Sequence, residues 1–286
     1  MEQTSNTKHV SGVLDGPVIV DPTEAHDPWA AQREDLATAP GPRYRRFRRD
    51  SAPAKPAPSV SVVIPTMNEA SNLPHVLSPI CEDYEVIVVD GGSTDDTMEV
   101  TRTLRPSAIV MRQPGRGKGD ALFAGFAVAR GDIIVTLDAD GSQKVSEIES
   151  FVEALVAGAD FAKGSRLLAG GGSDDFTRLR ATGNRALGMA ANVIHGTAVT
   201  DLTYGFNAFW RHCLPHVVNG SSGFEGETIM CIRAARAGLQ ITEVACYEER
   251  RIHGESNLRT FRDGWRILAL LVNERLLRTA PAESAA

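Results

Sequence analysis

Two aspartates at the end of an apolar run carry the plainest chemical promise in this chain. Asp132-Ile-Ile-Val-Thr-Leu-Asp-Ala-Asp-Gly141 reads as a buried strand that delivers Asp138 and Asp140 to its own tip. Side chains alternate along a strand, so the two carboxylates share a face if the extended conformation persists past Leu137, and the small Ala139 leaves that face open. Carboxylates that close repel unless a cation joins them. Hard oxygen ligands suit Mg²⁺ or Mn²⁺, ions that complete their shells with phosphate oxygens and water. Because a lone Asp-X-Asp is more often just a turn after a strand, the reading depends on what else reaches the same edge.

Strands and helices alternate on the way to that tip. Ser59-Val-Ser-Val-Val-Ile64 is a β-branched run closed by Pro65, and Asn68 and Glu69 open a helical stretch to Leu77. Tyr84-Glu-Val-Ile-Val-Val-Asp90 is a second strand, followed by a Gly/Ser/Asp loop and a helix over 97–104. A third strand covers 108–111, Gly115-Arg-Gly-Lys-Gly119 forms a flexible loop, and a helix over 120–129 leads to the acidic strand. This alternation predicts an α/β fold, a parallel sheet with helices on both faces, where ligands collect beyond the carboxyl ends of the strands. Asn68, Glu69, Asp90, Lys118, Asp138 and Asp140 all fall at or just after strand ends. Their gathering on one edge is the strongest argument from the residues themselves.

Bulk properties exclude several alternatives. At 286 residues, 42% hydrophobic and with a net charge of −6, the chain can bury one large core but lacks the basic surface of a general nucleic-acid binder. Cys81, Cys213, Cys231 and Cys246 form no Cys-X-X-Cys pair, which argues against a structural zinc site and fits a reducing cytoplasm. No apolar run is long enough to span a bilayer. Residues 1–58 read as a flexible tail ending in a Pro/Ala-rich stretch. Within it Arg43-Tyr-Arg-Arg-Phe-Arg-Arg49 could equally be a solvated linker or a grip on an anionic membrane or partner. Neither a P-loop nor a dinucleotide fingerprint is present: Arg112 stands where the former needs its first glycine, and Pro65-Thr-Met-Asn-Glu69 follows the first strand.

Six ordered motifs carry a resemblance. Ile64-Pro-Thr-Met-Asn-Glu69, Val89-Asp-Gly-Gly-Ser-Thr-Asp-Asp-Thr97, Gly117-Lys-Gly-Asp-Ala-Leu122, Ala129-Arg-Gly-Asp132, Asp138-Ala-Asp140 and Gly164-Ser-Arg166 resemble, in order and spacing, family 2 glycosyltransferases of the GT-A fold, on the dolichyl- and polyprenyl-phosphate sugar transferase branch. The likeness runs from about residue 59 to 274. It implies that Pro65, Thr66, Asn68, Glu69 and Asp90 hold the donor nucleoside, that Gly117 and Lys118 lie near base or phosphates, that Asp138 with Ala139 contacts ribose or metal, and that Asp140 binds Mg²⁺ or Mn²⁺. A glutamine that helps ligate metal in such relatives is displaced by one place here, leaving Ser142 and Gln143 as candidates.

The second half supplies cations and candidate bases. Arg166 ends a strand, and Gly170-Gly-Gly-Ser-Asp-Asp175 reads as a loop loose enough to act as a lid. A helix over 177–195 opens with Arg178, Arg180 and Arg185. By the resemblance Arg166 and Arg180 meet phosphate; Arg178 and Arg185 read simply as a solvated helix face. Asp201-Leu-Thr-Tyr-Gly-Phe-Asn207 is similar to the family's Asp-X-Thr-Ser-Gly-Phe-Arg segment, but Tyr204 and Asn207 depart from it, which puts the acceptor side in question. Asp201, Glu225 and Glu227 are candidates to take an acceptor proton, unless the acceptor is an ionised phosphate that needs no base. Arg251 matches the family's diphosphate clamp, and His253 is a candidate metal ligand. Phe261, Trp265, Leu268, Val272 and Leu276 define an amphipathic helix expected to pack on the domain or a second subunit, with a membrane surface as the alternative.

The sequence therefore reads as a tail (1–58), a GT-A domain (59–255) and a C-terminal helix and tail (256–286). The expected activity is inverting, metal-dependent transfer of a hexose from a UDP-glucose or GDP-mannose type donor. The acceptor, whether polyprenyl phosphate, saccharide or small-molecule hydroxyl, stays open, and a non-catalytic nucleotide-sugar sensor is the rival from another class. The expected location is the cytoplasm, with the inner face of the membrane as an alternative.

Overall fold

The computed structural model describes residues 57–218, 220–254 and 260–276. The Arg43–Arg49 segment and nearly all of the expected tail lie outside the described residues. Seven strands form one sheet in the order β3-β2-β1-β4-β7-β5-β8, built from β1 (Val60–Thr66), β2 (Glu85–Asp90), β3 (Ile109–Arg112), β4 (Ile133–Thr136), β5 (Phe161–Ser165), β7 (Asn207–Trp210) and β8 (Ile241–Ala245). A two-residue pair, β6 (Gly172–Ser173) and β9 (Tyr247–Glu248), forms a second, parallel ribbon.

The strand sequences account for the layers. In β1, Val62 and Ile64 face one core while Val63 faces the other; Val86 and Val88 oppose Ile87 and Val89 in β2, and Ile133 and Val135 oppose Ile134 in β4. A strand apolar on both faces must be covered twice. One face is covered by α1 (Leu73–Leu77), α2 (Thr97–Leu104) and α4 (Ile148–Val156), the other by α3 (Lys118–Val128), α6 (Leu214–Val217) and α7 (Glu225–Arg236). The helical stretch expected from Asn68 begins later, because Asn68 is held at φ +59°, a left-handed conformation that Asn tolerates but a helix excludes.

The sheet is mixed. β7 runs antiparallel to both neighbours, with Thr136 opposite Asn207 and Lys163 opposite Asn207. β4 and β5 are thus parallel to each other, and the start of β7 meets both of their carboxyl ends. The GT-A arrangement is present, with the acidic tip on the edge where β1, β2, β4 and β5 all terminate.

Two further helices, α5 (Arg178–His195) and α8 (Thr260–Leu276), enclose a third core with α7, built on Ala191, Val199, Leu202, Cys231, Ile232 and Leu271. Thr177 caps α5 by accepting from the Arg180 amide, and Gly196 at φ +71° ends it. Glu274 of α8 is turned inward, 3.1 Å from both Arg233 and Arg236. The inward stripe of α8 differs from the expected one: Leu271 and Glu274 are buried, whereas Trp265, Val272 and Leu276 are exposed. The Phe261 side chain lies outside the described residues.

Candidate active site

The acidic tip is neutralised from two sides. Lys118 opens α3, and its ammonium lies 2.6 Å from Asp138 Oδ1 and 2.9 Å from Glu227 Oε2. Arg251 reaches Asp140 from the loop after β9, with Nη2 3.0 Å from Oδ2, while the other Asp140 oxygen accepts from the Ser142 amide. Glu69 stands beside them. Its carboxyl is pushed up by burial and by the charges of Asp140 and Asp138. Four carboxylates and two cations thus meet here, with Asp138, Asp140 and Glu69 on the edge predicted from the strand ends and Glu227 joining them from α7.

Burial decides how the Lys118 cluster shares its charge. Burial alone would drive the ammonium down, but Asp138 and Glu227 outweigh it and hold Lys118 well above its ordinary value. One lysine cannot neutralise two acids, and burial together with the Asp138 charge raises the Glu227 carboxyl despite Lys118. Glu227 Oε1 is buried with no hydrogen-bond partner. Glu225, two residues before Glu227 on α7, points away from this arrangement; it is partly exposed and 3.6 Å from Arg266.

A cleft of about 420 Å³ opens next to the acidic tip, lined by Met67, Asn68, Glu69, Ser71, Asn72, Arg251, His253 and Gly254. Asn72 hinges its far wall. Its side chain donates to Glu69 Oε2 at 2.5 Å and to the His253 carbonyl at 3.2 Å, and its oxygen accepts from the His253 amide. The expected list omitted Asn72, although its position three residues after Glu69, at the start of a helix, was a usable signal.

Several expected donor residues are spent on building the edge. Asn68 Oδ1 accepts from the Thr94 amide at 2.8 Å, tying the loop after β1 to the loop after β2. Asp90 is fully buried and accepts from the amides of Gly92 and Ser93, forming the turn that follows β2. Thr66 is buried at the end of β1, next to Pro65. Gln143 accepts from the Asp138 amide at 2.9 Å and donates to Asp138 Oδ2, so it orients that carboxylate rather than offering a free oxygen. Ala139 is buried between the two aspartates.

Two loops read as mobile are packed. Ser222 O caps α3, accepting from the Gly119 amide at 3.0 Å, and a Cβ on Gly117 or Gly119 would fall 2.3 or 2.2 Å from the carbonyl oxygens of Ser222 and Ser221. These glycines are required by close backbone approach, and the helix start is not an open phosphate cradle. The expected lid over 170–175 is pinned as β6 against β9, where Ser173 Oγ donates to Glu248 Oε2 and Tyr247 Oη donates to Asp174.

Arg166 and Asp201 also depart from expectation. The Arg166 fork is filled by Asp201 (2.7 and 3.1 Å), both oxygens of Glu248 and Thr203 Oγ1, with its plane against Phe176 and Tyr204. Burial pushes the Asp201 carboxyl up, but Arg166, Lys163 and the Asn184 amide outweigh it and hold it at about 2. An acid at about 2 with every oxygen engaged is a poor proton acceptor. Asp201 therefore anchors Arg166 here, and Arg166 has no free face for a phosphate. Arg180 is partly exposed at the start of α5 and pairs with Asp175 at 2.7 Å.

Lys163 was missed altogether. It is fully buried in β5, donates to the carbonyls of Tyr204 and Gly164, and burial drives its ammonium below the ordinary lysine range. Asn207, which departs from the family's segment, is buried in β7 and donates to the Gly205 carbonyl at 3.0 Å.

The donor set suits a hard divalent cation: buried Asp140, part-buried Asp138 and Glu69 present oxygen and carry local negative charge that only side-chain cations offset. His253 is exposed at the cleft mouth, and its imidazole is not gathered with the aspartates. Among the described residues the three-ligand cluster within 4.8 Å is Asp160, His212 and Cys213, at the opposite edge of the sheet.

Comparison with known proteins follows this geometry. Residues 61–216 match the family described as Glycosyl transferase family 2. Glycosyltransferase AglJ of Haloferax volcanii is 32% identical over 210 residues, covering 72% of this chain and 68% of that protein. Polyprenol monophosphomannose synthase of Mycolicibacterium smegmatis is 30% identical over 235 residues, 77% of this chain and 89% of its own. Among solved structures, glucosyl-3-phosphoglycerate synthase from Mycobacterium tuberculosis, in complex with Mn²⁺, uridine diphosphate and glucosyl-3-phosphoglycerate, aligns with a TM-score of 0.59 at 25% identity, covering 76% of this chain and 80% of that one.

Proposed function

The chain belongs to glycosyl transferase family 2, and on that footing we propose that it moves a hexose from a nucleoside-diphosphate sugar to a phosphate-bearing acceptor, with inversion at the anomeric carbon. The observation that carries this reading is the acidic tip itself. Asp138 and Asp140 each face a side-chain cation, Lys118 and Arg251, at the edge where the strands end and a cleft opens. Such a site can accept a diphosphate by exchanging those internal contacts for contacts to phosphate oxygens.

Asp138 and Asp140 would hold Mg²⁺ or Mn²⁺, with His253 joining them on movement of its loop. Bound there, the cation would supply charge neutralisation for the departing diphosphate. Glu69 and the β1 and β2 loops shape the nucleoside side of the cleft. Arg251, on a loop hinged at Asn72, swings from Asp140 to the diphosphate, and Arg180 offers a second cation on release from Asp175. Arg166 acts as a positioning residue, fixing β9 and the start of the Asp201 loop. The acceptor oxygen attacks the anomeric carbon as the bond to the diphosphate oxygen breaks. An ionised phosphate acceptor brings no proton to remove, which matches the absence of a poised base at Asp201. A hydroxyl acceptor would assign that task to Glu227, the acid whose carboxyl burial has raised.

Two similar proteins support the phosphate-bearing acceptor, a polyprenol monophosphomannose synthase and a glucosyl-3-phosphoglycerate synthase. Free, unpaired cysteines and a nucleotide-sugar donor suit the cytoplasm. The test is turnover with UDP-glucose and GDP-mannose in Mn²⁺, offered polyprenyl phosphate or 3-phosphoglycerate, with the product anomer read by NMR. One donor should yield an inverted product. Donor binding without nucleoside diphosphate release for any acceptor would replace this reading with a nucleotide-sugar sensor.

A further inference from the structure

At the edge of the sheet opposite the acidic tip, three side chains of different metal-binding type converge. Asp160 immediately precedes β5, and His212 and Cys213 lie on the single turn that follows β7. One ligand atom from each of the three lies within 4.8 Å of the others. Asp160 and Cys213 are 53 residues apart in sequence, and the antiparallel pairing of β7 with β5 brings them together. No local spacing announces such a cluster.

The surrounding contacts orient each ligand. Cys213 is fully buried, and its thiol donates to the Asp160 carbonyl at 3.6 Å, which turns the sulfur towards that residue. The Gln240 amide donates to Asp160 Oδ2 at 2.8 Å, and the other carboxylate oxygen faces His212 Nε2 at 3.9 Å. Outer contacts of this kind fix ligand orientation at metal sites. Trp210 flanks the imidazole with its ring plane 20° away, and its own indole N–H is anchored on the Ala159 carbonyl at 3.1 Å. The His212 side chain is 67% exposed, so the cluster is sealed at the sulfur and open to solvent at the imidazole.

Ligand chemistry decides which ion fits. Zinc bonds of about 2.3 Å to sulfur and about 2.0–2.1 Å to nitrogen or oxygen place tetrahedral ligands about 3.3–3.6 Å apart. The 3.9 Å between His212 and Asp160 closes to that value with a small rotation of the exposed imidazole. A thiolate, imidazole and carboxylate together select Zn²⁺ over Mg²⁺ and Mn²⁺, which favour oxygen sets such as the acidic tip.

We propose that Asp160, His212 and Cys213 form a Zn²⁺ site, separate from the cation site at the acidic tip, that staples the start of β5 to the turn after β7. Binding breaks the Cys213 S–H bond and forms a sulfur–zinc bond, with the proton passing to solvent. Water completes the tetrahedron on the open side. The site goes beyond the transfer reaction and does not depend on it.

Titration of the full, reduced chain with Co²⁺, the spectroscopic stand-in for Zn²⁺, tests it. Co²⁺ should produce a thiolate-to-cobalt charge-transfer band in the near ultraviolet together with the visible bands of a tetrahedral ion. Zn²⁺ should displace both, and excess Mg²⁺ neither. The charge-transfer band should disappear in Cys213→Ser and persist in Asp140→Asn, which alters the acidic tip alone. Asp160→Asn and His212→Gln should each weaken Co²⁺ binding about tenfold or more, and Zn²⁺ should raise the Tm of wild type but not that of His212→Gln. Because His212→Gln changes an exposed side chain, the test stands even if Cys213→Ser fails to fold. Absence of the charge-transfer band in wild type, or its survival in Cys213→Ser, would overturn the proposal. So would Co²⁺ binding indifferent to His212→Gln.

Discussion

Arg251 Nη2 lies 3.0 Å from Asp140 Oδ2, so the arginine proposed to meet the diphosphate rests on the carboxylate proposed to meet the metal. Metal and Arg251 then compete for Asp140 until the nucleotide draws the arginine away. Arg251→Met should tighten Mn²⁺ binding several-fold in the absence of nucleotide, as titrated by Mn²⁺ EPR. The same variant should lower kcat about 10²–10³-fold, the usual loss for one donor to a transition-state anion. A variant that loses both metal and activity would show that Arg251 supports the aspartates rather than competing for one of them.

Asp201 is expected to matter to stability more than to chemistry. Its removal leaves Arg166 buried with Glu248 as its remaining carboxylate, so Asp201→Asn should cost about 3–5 kcal/mol in urea unfolding at neutral pH. The sign with pH follows from the carboxyl, held at about 2 against an ordinary 3.8. The folded value lies below the unfolded one, so this stabilisation is complete above about pH 5 and is lost as pH falls through about 2. The gap between wild type and Asp201→Asn should therefore narrow, by about 2.5 kcal/mol at most, on acidification. An unchanged stability with abolished kcat would reinstate Asp201 as a base.

Two glycines should respond oppositely to alanine. A Cβ at Gly119 would sit 2.2 Å from the Ser221 carbonyl oxygen, so Gly119→Ala must shift the loop over α3 and should destabilise by about 1–3 kcal/mol. Gly183 is exposed within α5, with nothing within 4 Å of its Cβ position, and Gly183→Ala should stabilise by about 0.5–1 kcal/mol. Thermal unfolding of both checks whether packing or conformational freedom fixes each position.

The acidic edge was legible in the sequence because strand ends and polar residues are local signals. β1, β2 and β4 announced themselves by β-branched runs, and Asp138 and Asp140 followed at once. What was hidden lay in pairing across the chain. Nothing local links Lys118 to Glu227, or Asn72 to His253, and no pattern in Asn207-Ala-Phe-Trp210 says that this short run inserts antiparallel between β4 and β5. Lys163 broke a strand pattern, yet its ammonium is satisfied by the neighbouring Gly164 carbonyl and by the Tyr204 carbonyl from a loop 41 residues away. On α8 the period was right but the stripe was wrong. That helix carries apolar residues on two sides, and packing against α5 and α7 selected Leu271 rather than Val272.

The account rests on a divalent cation and a nucleoside diphosphate meeting at Asp138 and Asp140. Calorimetric titration of UDP-glucose and GDP-mannose, each with Mn²⁺ and with EDTA, on wild type and Asp140→Asn, tests this most directly. One donor should bind wild type with Mn²⁺, and that binding should disappear with EDTA and in Asp140→Asn. Equal binding in EDTA, or undiminished Mn²⁺-dependent binding in Asp140→Asn, would contradict the assignment of the acidic tip.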